Sequence, residues 1–167
     1  MRMTVPTASA RKGKQRLLTS CAIAAGMAAL ALGGPALAQV QGTGQVVASP
    51  GLGTATIVNN PPAKPNTTQV VTNGNQTIIN WTPTDTAATG APIDFLPALN
   101  TLEYYGAGNY TVLNRFVAID PLSGLPIPIS RQIALNGTVN SYIGSPAAGA
   151  GAVQGGNIWF YNAAAAS

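Results

Sequence analysis

Short runs rich in β-branched and aromatic residues recur along this chain between prolines, glycines and asparagines, and they constrain its fold more than any other feature. The runs occupy residues 69–72, 77–81, 93–96, 101–105, 110–119, 131–135 and 157–162. Val, Ile, Thr and aromatic residues favour strands, and beyond the N-terminal segment the apolar residues show no helical spacing. The sequence therefore predicts an all-β domain over residues 69–162.

The connections between these runs narrow the architecture without selecting one. Asn73-Gly74 is typical of a two-residue hairpin turn between the first two strands. Residues 121–128 (PLSGLPIP) and 144–156 (GSPAAGAGAVQGG) predict long loops, the second a flexible connector. Such a pattern fits a sandwich, a jelly roll or a β-solenoid. Low charge with abundant Asn, Thr and Gly favours the solenoid, because stacked Asn and Thr form ladders and Gly permits tight corners.

Most of the positive charge lies at the N-terminus. The chain has 8 basic and 4 acidic residues, a formal net charge of +4, and such an excess can indicate a nucleic-acid or membrane-surface binder. Five of the basic residues fall within the first sixteen positions, whereas residues 39–167 contain three basic and four acidic residues. Nucleic acid is therefore not expected as a partner of residues 39–167.

Residues 1–38 have the organisation of a secretory signal peptide. A basic region ends at Arg16, an apolar run follows over 17–32, and Ala36-Leu37-Ala38 forms an A-x-A cleavage site. The mature chain would then begin at Gln39. The alternative, a transmembrane anchor, needs about 20 apolar residues, more than this run offers. Cys21 lies inside the apolar run, unlike a lipoprotein cysteine, so lipidation is not expected.

The segment 39–68 is polar and rich in turn-forming residues. Pro61, Pro62 and Pro65 oppose regular strand pairing. We expect a flexible N-terminal extension, a disordered linker with one short strand near 54–58.

Catalytic chemistry has little support in the composition. The mature chain would lack both cysteine and histidine, and so the usual thiolate and imidazole metal ligands and the usual base for a serine nucleophile. Its carboxylates are Asp85, Asp94, Glu103 and Asp120, and their spacing does not indicate the facing pair that a glycosidase needs. No acidic repeat resembles a calcium loop, and the glycine-rich segment lacks the lysine of a phosphate loop. No enzyme activity, metal or cofactor is expected.

Five large aromatic residues are interpreted as core rather than as a ligand-stacking platform. They are Trp81, Phe95, Phe116, Trp159 and Phe160.

Three stretches resemble a known pattern when taken together. They are IINW at 78–81 followed by APIDFLP at 91–97, then YTVLNRF at 110–116, and finally RQIALNGTVNS at 131–141 with GGNIWFYN at 155–162. Their order and spacing resemble the filamentous haemagglutinin N-terminal domain, the secretion module of two-partner-secretion exoproteins of Gram-negative bacteria. The family's continuation after Asn162 is replaced by residues 163–167, so a truncated module is expected.

The resemblance implies the start of a right-handed parallel β-helix with a few extra antiparallel strands. It also implies export through the periplasm to the cell surface or medium, guided by a partner outer-membrane transporter. Asn114, Arg115 and Asn162 correspond to motif residues, with structural or recognition roles. Adhesion to host or cell-surface ligands would belong to downstream repeats. A small secreted β-domain with a structural or carbohydrate-binding role is the alternative. An uncapped solenoid end would leave the chain marginally stable or prone to aggregation.

Overall fold

The computed structural model describes residues 39–147 and 152–162, and its regular structure there is β, with no α-helix. Thus the expected all-β class is confirmed. The signal peptide with its cleavage-site residues Ala36 and Ala38, and the tail 163–167, lie outside the described residues. The strands are β1 (Gly42–Val46), β2 (Thr54–Asn59), β3 (Thr67–Asn73), β4 (Gln76–Pro83), β5 (Ile93–Leu96), β6 (Thr101–Gly106), β7 (Thr111–Ile119), β8 (Pro126–Pro128), β9 (Ile133–Leu135), β10 (Thr138–Ile143), β11 (Val153–Gln154) and β12 (Asn157–Asn162).

These strands form three sheets that combine parallel and antiparallel pairs. The first sheet has the order β1-β4-β7-β12, with β8 also paired to β7; the second has β11-β10-β6-β3-β2, and the third β5-β9. Within them β4, β7 and β12 run parallel, as do β3, β6 and β10, and also β5 and β9. The outer strands β1, β2, β8 and β11 are antiparallel to their neighbours.

The chain visits the sheets in a repeating order. It passes from the second sheet to the first and then to the third as β3, β4 and β5, repeats this as β6, β7 and β9, and begins a further round with β10 and β12. The corners repeat as well. The Thr111 amide donates to the Asn75 carbonyl, and the Asn157 amide donates to the Tyr110 carbonyl, both at 2.8 Å. Each round therefore lies in hydrogen-bonded register with the round before it.

The predicted hairpin at Asn73-Gly74 is wrong. Strand β3 pairs with β2 and β6, whereas β4 pairs with β1 and β7, so the two strands that flank this turn belong to different sheets. Gly74 has a φ of 127°, which glycine adopts without steric cost. A short turn signal of this kind fixes a change of direction, while the partner of each strand is decided by distant residues.

Residues 39–68 also depart from the expectation. Instead of a flexible extension with one short strand, the segment contains both β1 and β2, which pair antiparallel with β4 and β3. They cover the edges of the first round that face away from β7 and β6. Residues 39–68 form strands because the outer edges of β4 and β3 offer unpaired backbone groups that an added strand satisfies. The local β-propensity of residues 39–68 does not indicate this pairing.

The core lies between the sheets and is built around aromatic rings. Trp81 and Phe95 are completely buried and Phe116 is 3% exposed; the Phe95 ring meets Trp81 and Phe116 edge to face at centroid distances of 5.2 and 4.9 Å. Phe160 is half-buried and stacks on Phe116 at 6.1 Å. The core assignment of Trp159 is wrong: it is 63% exposed. Side chains alternate along β12, so facing Phe160 inward turns Trp159 outward.

The remaining differences between the predicted and observed strands lie in segments that were predicted as loops or had no prediction. Strand β8 lies within the loop predicted over 121–128, and β11 lies within the predicted connector, where residues 148–151 are outside the described part. Strand β10 follows a turn at Asn136-Gly137 and had no separate prediction, although Thr138–Ile143 pairs along its length with β6. Each missed strand is short or weakly apolar, and takes its conformation from a paired neighbour.

Gly44 in β1 provides a test of whether this strand packs against the buried Trp81 ring. It lies opposite Trp81, and a Cβ placed on it would come within 2.6 Å of both the Trp81 ring and Ile57 Cδ1. Because the Trp81 ring is buried, Gly44→Ala should lower the free energy of unfolding by about 1–3 kcal/mol, measured by urea denaturation.

Gly108→Ala is the matched control. No atom lies within 4 Å of a Cβ at Gly108, so this substitution should change stability by no more than about 0.5 kcal/mol. Equal effects of the two substitutions would show that β1 does not pack over Trp81.

Candidate functional site

The motif residues carried by β7 point in opposite directions. Alternation along the strand buries Val112, Asn114 and Phe116 between the sheets. Arg115, between the last two, therefore projects from the outer face of the first sheet. The adjacent motif residues Asn114 and Arg115 thus lie on opposite faces of β7, the first in the interior and the second at the surface.

Asn114 connects three other strands through its amide. Its Oδ1 accepts hydrogen bonds from Trp81 Nε1 of β4 and from the Tyr104 hydroxyl of β6, each 2.8 Å long. Its Nδ2 donates to the Trp159 carbonyl of β12 at 3.1 Å. Asn114 and Tyr104 are fully buried. Burial raises the pKa of Tyr104 well above its usual value, so the phenol stays protonated and donates.

Sequence reasoning named Asn114 and Trp81 but did not bring them together. Tyr104 was missed, although it lies two positions after Leu102 in β6 and therefore shares a face of the strand with that apolar residue. A buried aromatic hydroxyl needs a partner, and a buried amide on a neighbouring strand is one that can provide it. Periodicity alone does not identify which amide.

Arg115 takes part in a polar contact on the outer face. Its Nε donates to Asn80 Oδ1 at 2.9 Å. The register places Asn80 on one side of Arg115 and Tyr161 on the other. A cavity of about 170 Å³ opens between Arg115, Tyr161 and strand β8. Here the motif presents a guanidinium group next to an exposed aromatic residue.

Asn162 holds the end of the last described strand. Its Nδ2 donates to the Arg131 carbonyl at 2.8 Å, while its buried Oδ1 has no hydrogen-bond partner among the described residues. Arg131 in turn forms an ion pair with Asp85 and donates to the Ala91 carbonyl. Asn162 therefore links β12 to the loops beside the third sheet. Gln39, the expected first mature residue, is half-buried, and its side-chain oxygen accepts from Asn60.

A second polar cluster, which the sequence did not indicate, covers the outer face of the second sheet. Lys64 Nζ lies 2.8 Å from both carboxylate oxygens of Glu103. Gln69 Nε2 and the Tyr105 hydroxyl also donate to this carboxylate. Burial opposes ionisation of Glu103, but the hydrogen bonds from Lys64, Gln69 and Tyr105 outweigh it and lower its pKa. The bond to Glu103 raises the pKa of Lys64, against a smaller effect of burial.

Of the remaining carboxylates, Asp94 lies in strand β5 and Asp120 lies at a turn. Asp94 accepts from Asn136 Nδ2, and Asp120 accepts from the Ser123 hydroxyl and the Leu122 amide. The Ser123 hydroxyl lowers the pKa of Asp120. Over residues 39–147 and 152–162, His, Cys, Asp and Glu form no group of three or more that could hold a metal ion. In the same ranges no helix has the length and apolar character to cross a bilayer.

The geometry of the motif residues is suited to holding strands together and to presenting a polar surface. Asn114 joins the interior of two sheets, Asn162 attaches the last strand, and Arg115 displays N–H donors outward. Comparison with protein-family models, curated proteins and solved structures finds no match to this chain. Its function is therefore inferred from these contacts and from the motifs that make them.

Removal of the Asn114 amide should leave two buried donors, on Trp81 and Tyr104, without their acceptor. An unsatisfied buried donor costs about 1–3 kcal/mol. We expect Asn114→Ala to lower the free energy of unfolding by about 2–4 kcal/mol, allowing for partial relaxation of the site. Asn109→Ala, at an exposed turn position, is the control and should change stability by less than about 0.5 kcal/mol. Similar values for both variants would contradict the role of Asn114.

The Glu103 cluster predicts a pH dependence of stability. Because folding lowers the pKa of Glu103, its contribution is present above the usual glutamate pKa and is lost as the pH falls through the folded value. Folding raises the pKa of Lys64, so its contribution is present below the usual lysine pKa and is lost as the pH rises through the raised value.

Denaturation of Lys64→Met between pH 7 and pH 3 separates this effect from general acid sensitivity. The Lys64 side chain is 39% exposed, so the pair is partly screened and the cost at pH 7 should be about 1 kcal/mol. This cost should shrink as the pH falls, because protonation of Glu103 removes the charge that Lys64 pairs with. A cost that does not depend on pH would show that Lys64 stabilises the fold only by packing.

Proposed function

We propose that this chain is the non-catalytic N-terminal secretion module of a surface exoprotein or adhesin, recognised by a partner outer-membrane transporter. The observation that carries the proposal is the position of one part of each of the three resembling stretches. Residues 78–81 lie in β4, 111–116 in β7 and 157–162 in β12, and these are consecutive parallel strands of one sheet. Segments far apart in sequence thus form one continuous surface and one shared interior.

The fold that belongs to this proposal is a right-handed parallel β-helix. Its support is the repeated order in which the chain visits the three sheets, together with the in-register stacking of strands and corners. The general preference of parallel crossovers for the right hand supports the handedness. On this interpretation β1 and β2 close the first coil, and β8 and β11 are antiparallel additions to strands of the later coils.

The chemistry of residues 39–167 is compatible with transport of an extended chain. They contain no cysteine, and their charge amounts to three basic and four acidic residues. No disulfide would have to form before passage through a pore. Non-local parallel pairing forms slowly compared with local structure, which favours an extended state during export. Folding of the coils outside the cell would then oppose backward movement.

The alternative is a small secreted β-domain with a structural or carbohydrate-binding role. One observation favours it: Trp159 and Tyr161 are 63% and 54% exposed and project from the same face of β12. Exposed aromatic residues of this kind are a common feature of binding surfaces.

Co-expression tests the secretion proposal directly. The complete chain is expressed in a Gram-negative host with and without a two-partner-secretion transporter from the same genome, and the medium is assayed for the chain. We expect release only with the transporter. A transporter that lacks its periplasmic recognition domains is the matched control and should not support release. Equal release with and without the transporter would overturn the proposal.

A further inference from the structure

The outer face of the first sheet carries aromatic and polar side chains beside the cavity at strand β8. We call the surface formed by Arg115, Val117, Trp159, Tyr161 and Ile127 the β7–β12 face. In the parallel register, Trp159 lies beside Leu113 and Tyr161 lies beside Arg115. The face thus combines two exposed rings with a guanidinium group.

Arg115 lacks an ionic partner within the described part of the chain. Lys64 pairs with Glu103 and Arg131 pairs with Asp85, whereas the one side-chain acceptor of Arg115 there is the neutral amide of Asn80, which takes only Nε–H. Among the described residues no acceptor engages the terminal N–H groups of Arg115, whose side chain lines the cavity beside β8. A planar fork of this kind matches a carboxylate, which can accept two parallel hydrogen bonds.

The cavity next to Arg115 is small and largely apolar apart from the guanidinium. Its volume is about 170 Å³, and Tyr161, Val117 and strand β8 complete its walls. Pockets for drug-sized ligands usually measure about 300–1,000 Å³. The cavity therefore suits a single compact unit, with an anionic group at Arg115 and an apolar side toward Tyr161.

We propose that the β7–β12 face binds a polysaccharide that contains uronic acid units. The carboxylate of one unit accepts hydrogen bonds from Arg115, and the C–H face of its ring packs on Tyr161. Trp159 and Tyr161 are two residues apart in β12, a rise of about 6.6 Å along the strand. A linear glycan can therefore contact both rings while one acidic unit occupies the cavity.

The walls of the cavity favour a glycan over an extended peptide. Peptides commonly bind by adding a strand to a sheet edge, which requires backbone donors and acceptors from the protein. Strand β8 contributes Pro126 and Pro128 to the cavity, and proline has no backbone N–H. The ligand must therefore be held mainly by side chains. Aromatic faces and a guanidinium group provide contacts of that kind to sugars.

Binding of trigalacturonate to the purified chain tests the proposal. Titration is followed by calorimetry and by the fluorescence of the exposed Trp159, with maltotriose as a neutral trisaccharide of equal length. We expect saturable binding of trigalacturonate and at least roughly tenfold weaker binding of maltotriose, since a charge-assisted bidentate contact is lost. No binding of trigalacturonate, or equal binding of both sugars, would overturn the proposal.

Variants locate the site. Arg115→Gln should weaken trigalacturonate binding at least roughly tenfold, and Arg115→Lys, which keeps the charge but not the fork, should fall between it and the natural chain. Tyr161→Ala changes an exposed residue and should also weaken binding. Leu122→Ala, a residue that is 96% exposed outside the cavity lining, is the control and should bind normally.

Two further outcomes are decisive. Unchanged affinity in both Arg115→Gln and Tyr161→Ala would place any binding elsewhere and contradict the proposal. Tighter binding of triglycine, which offers a terminal carboxylate without a sugar ring, than of trigalacturonate would assign the face to peptides instead. Circular dichroism of each variant checks that it is folded. Transporter-dependent export is measured separately, so failure of glycan binding leaves the proposed secretion role intact.

Discussion

The buried amide of Asn114 is the interaction on which the rest of the structure depends. It accepts from Trp81 and Tyr104 and donates to the Trp159 carbonyl, so its two polar atoms engage β4, β6 and β12 at once. An unpaired amide in this position would cost several kcal/mol. Any alternative register that separates these groups is therefore disfavoured, because a shift of one residue moves side chains to the opposite face of a strand. The amide specifies alignment as well as adding stability.

The outer strand edges are paired at the first round of the stack and largely unpaired at the last described round. At the first round, β1 and β2 pair with β4 and β3 and satisfy their outer edges. At the last round, β11 pairs with only two residues of β10, and β12 is the outermost described strand of the first sheet. Unpaired strand edges favour association with further strands. Within the described residues, growth of the fold is thus closed on one side and open on the other.

The strands with the highest content of β-branched and aromatic residues could be predicted from the sequence. Ile93–Leu96 and Asn157–Asn162 form strands with the predicted bounds, since β-branched and aromatic residues specify an extended backbone locally. Strand partners were less accessible: Asn73-Gly74 has the composition of a hairpin turn but forms a corner between sheets. The N-terminal strands depended on edges built by other residues. Strand partners depend on residues far apart in the chain, so local sequence patterns do not identify them.

The candidate site shows the same division between local and non-local information. The motif selected Asn114, Arg115 and Asn162, but only alternation in the folded strands separates the interior role of Asn114 from the surface position of Arg115. Side-chain alternation along β12 explains the error at Trp159, because the strongly apolar run suggested burial of both Trp159 and Phe160. Its inward positions are occupied by Ile158 and Phe160, and the remaining rings face outward.

Hydrogen exchange of the two indole N–H groups tests the central claim most directly. The chain has two tryptophans: Trp81 is completely buried and donates to Asn114, whereas Trp159 is 63% exposed. In NMR spectra of the chain transferred to D₂O, the Trp81 indole proton should exchange only when the structure opens, and Trp159 should exchange within the dead time. Equally rapid exchange of both indoles would contradict an interior organised around the Asn114 amide.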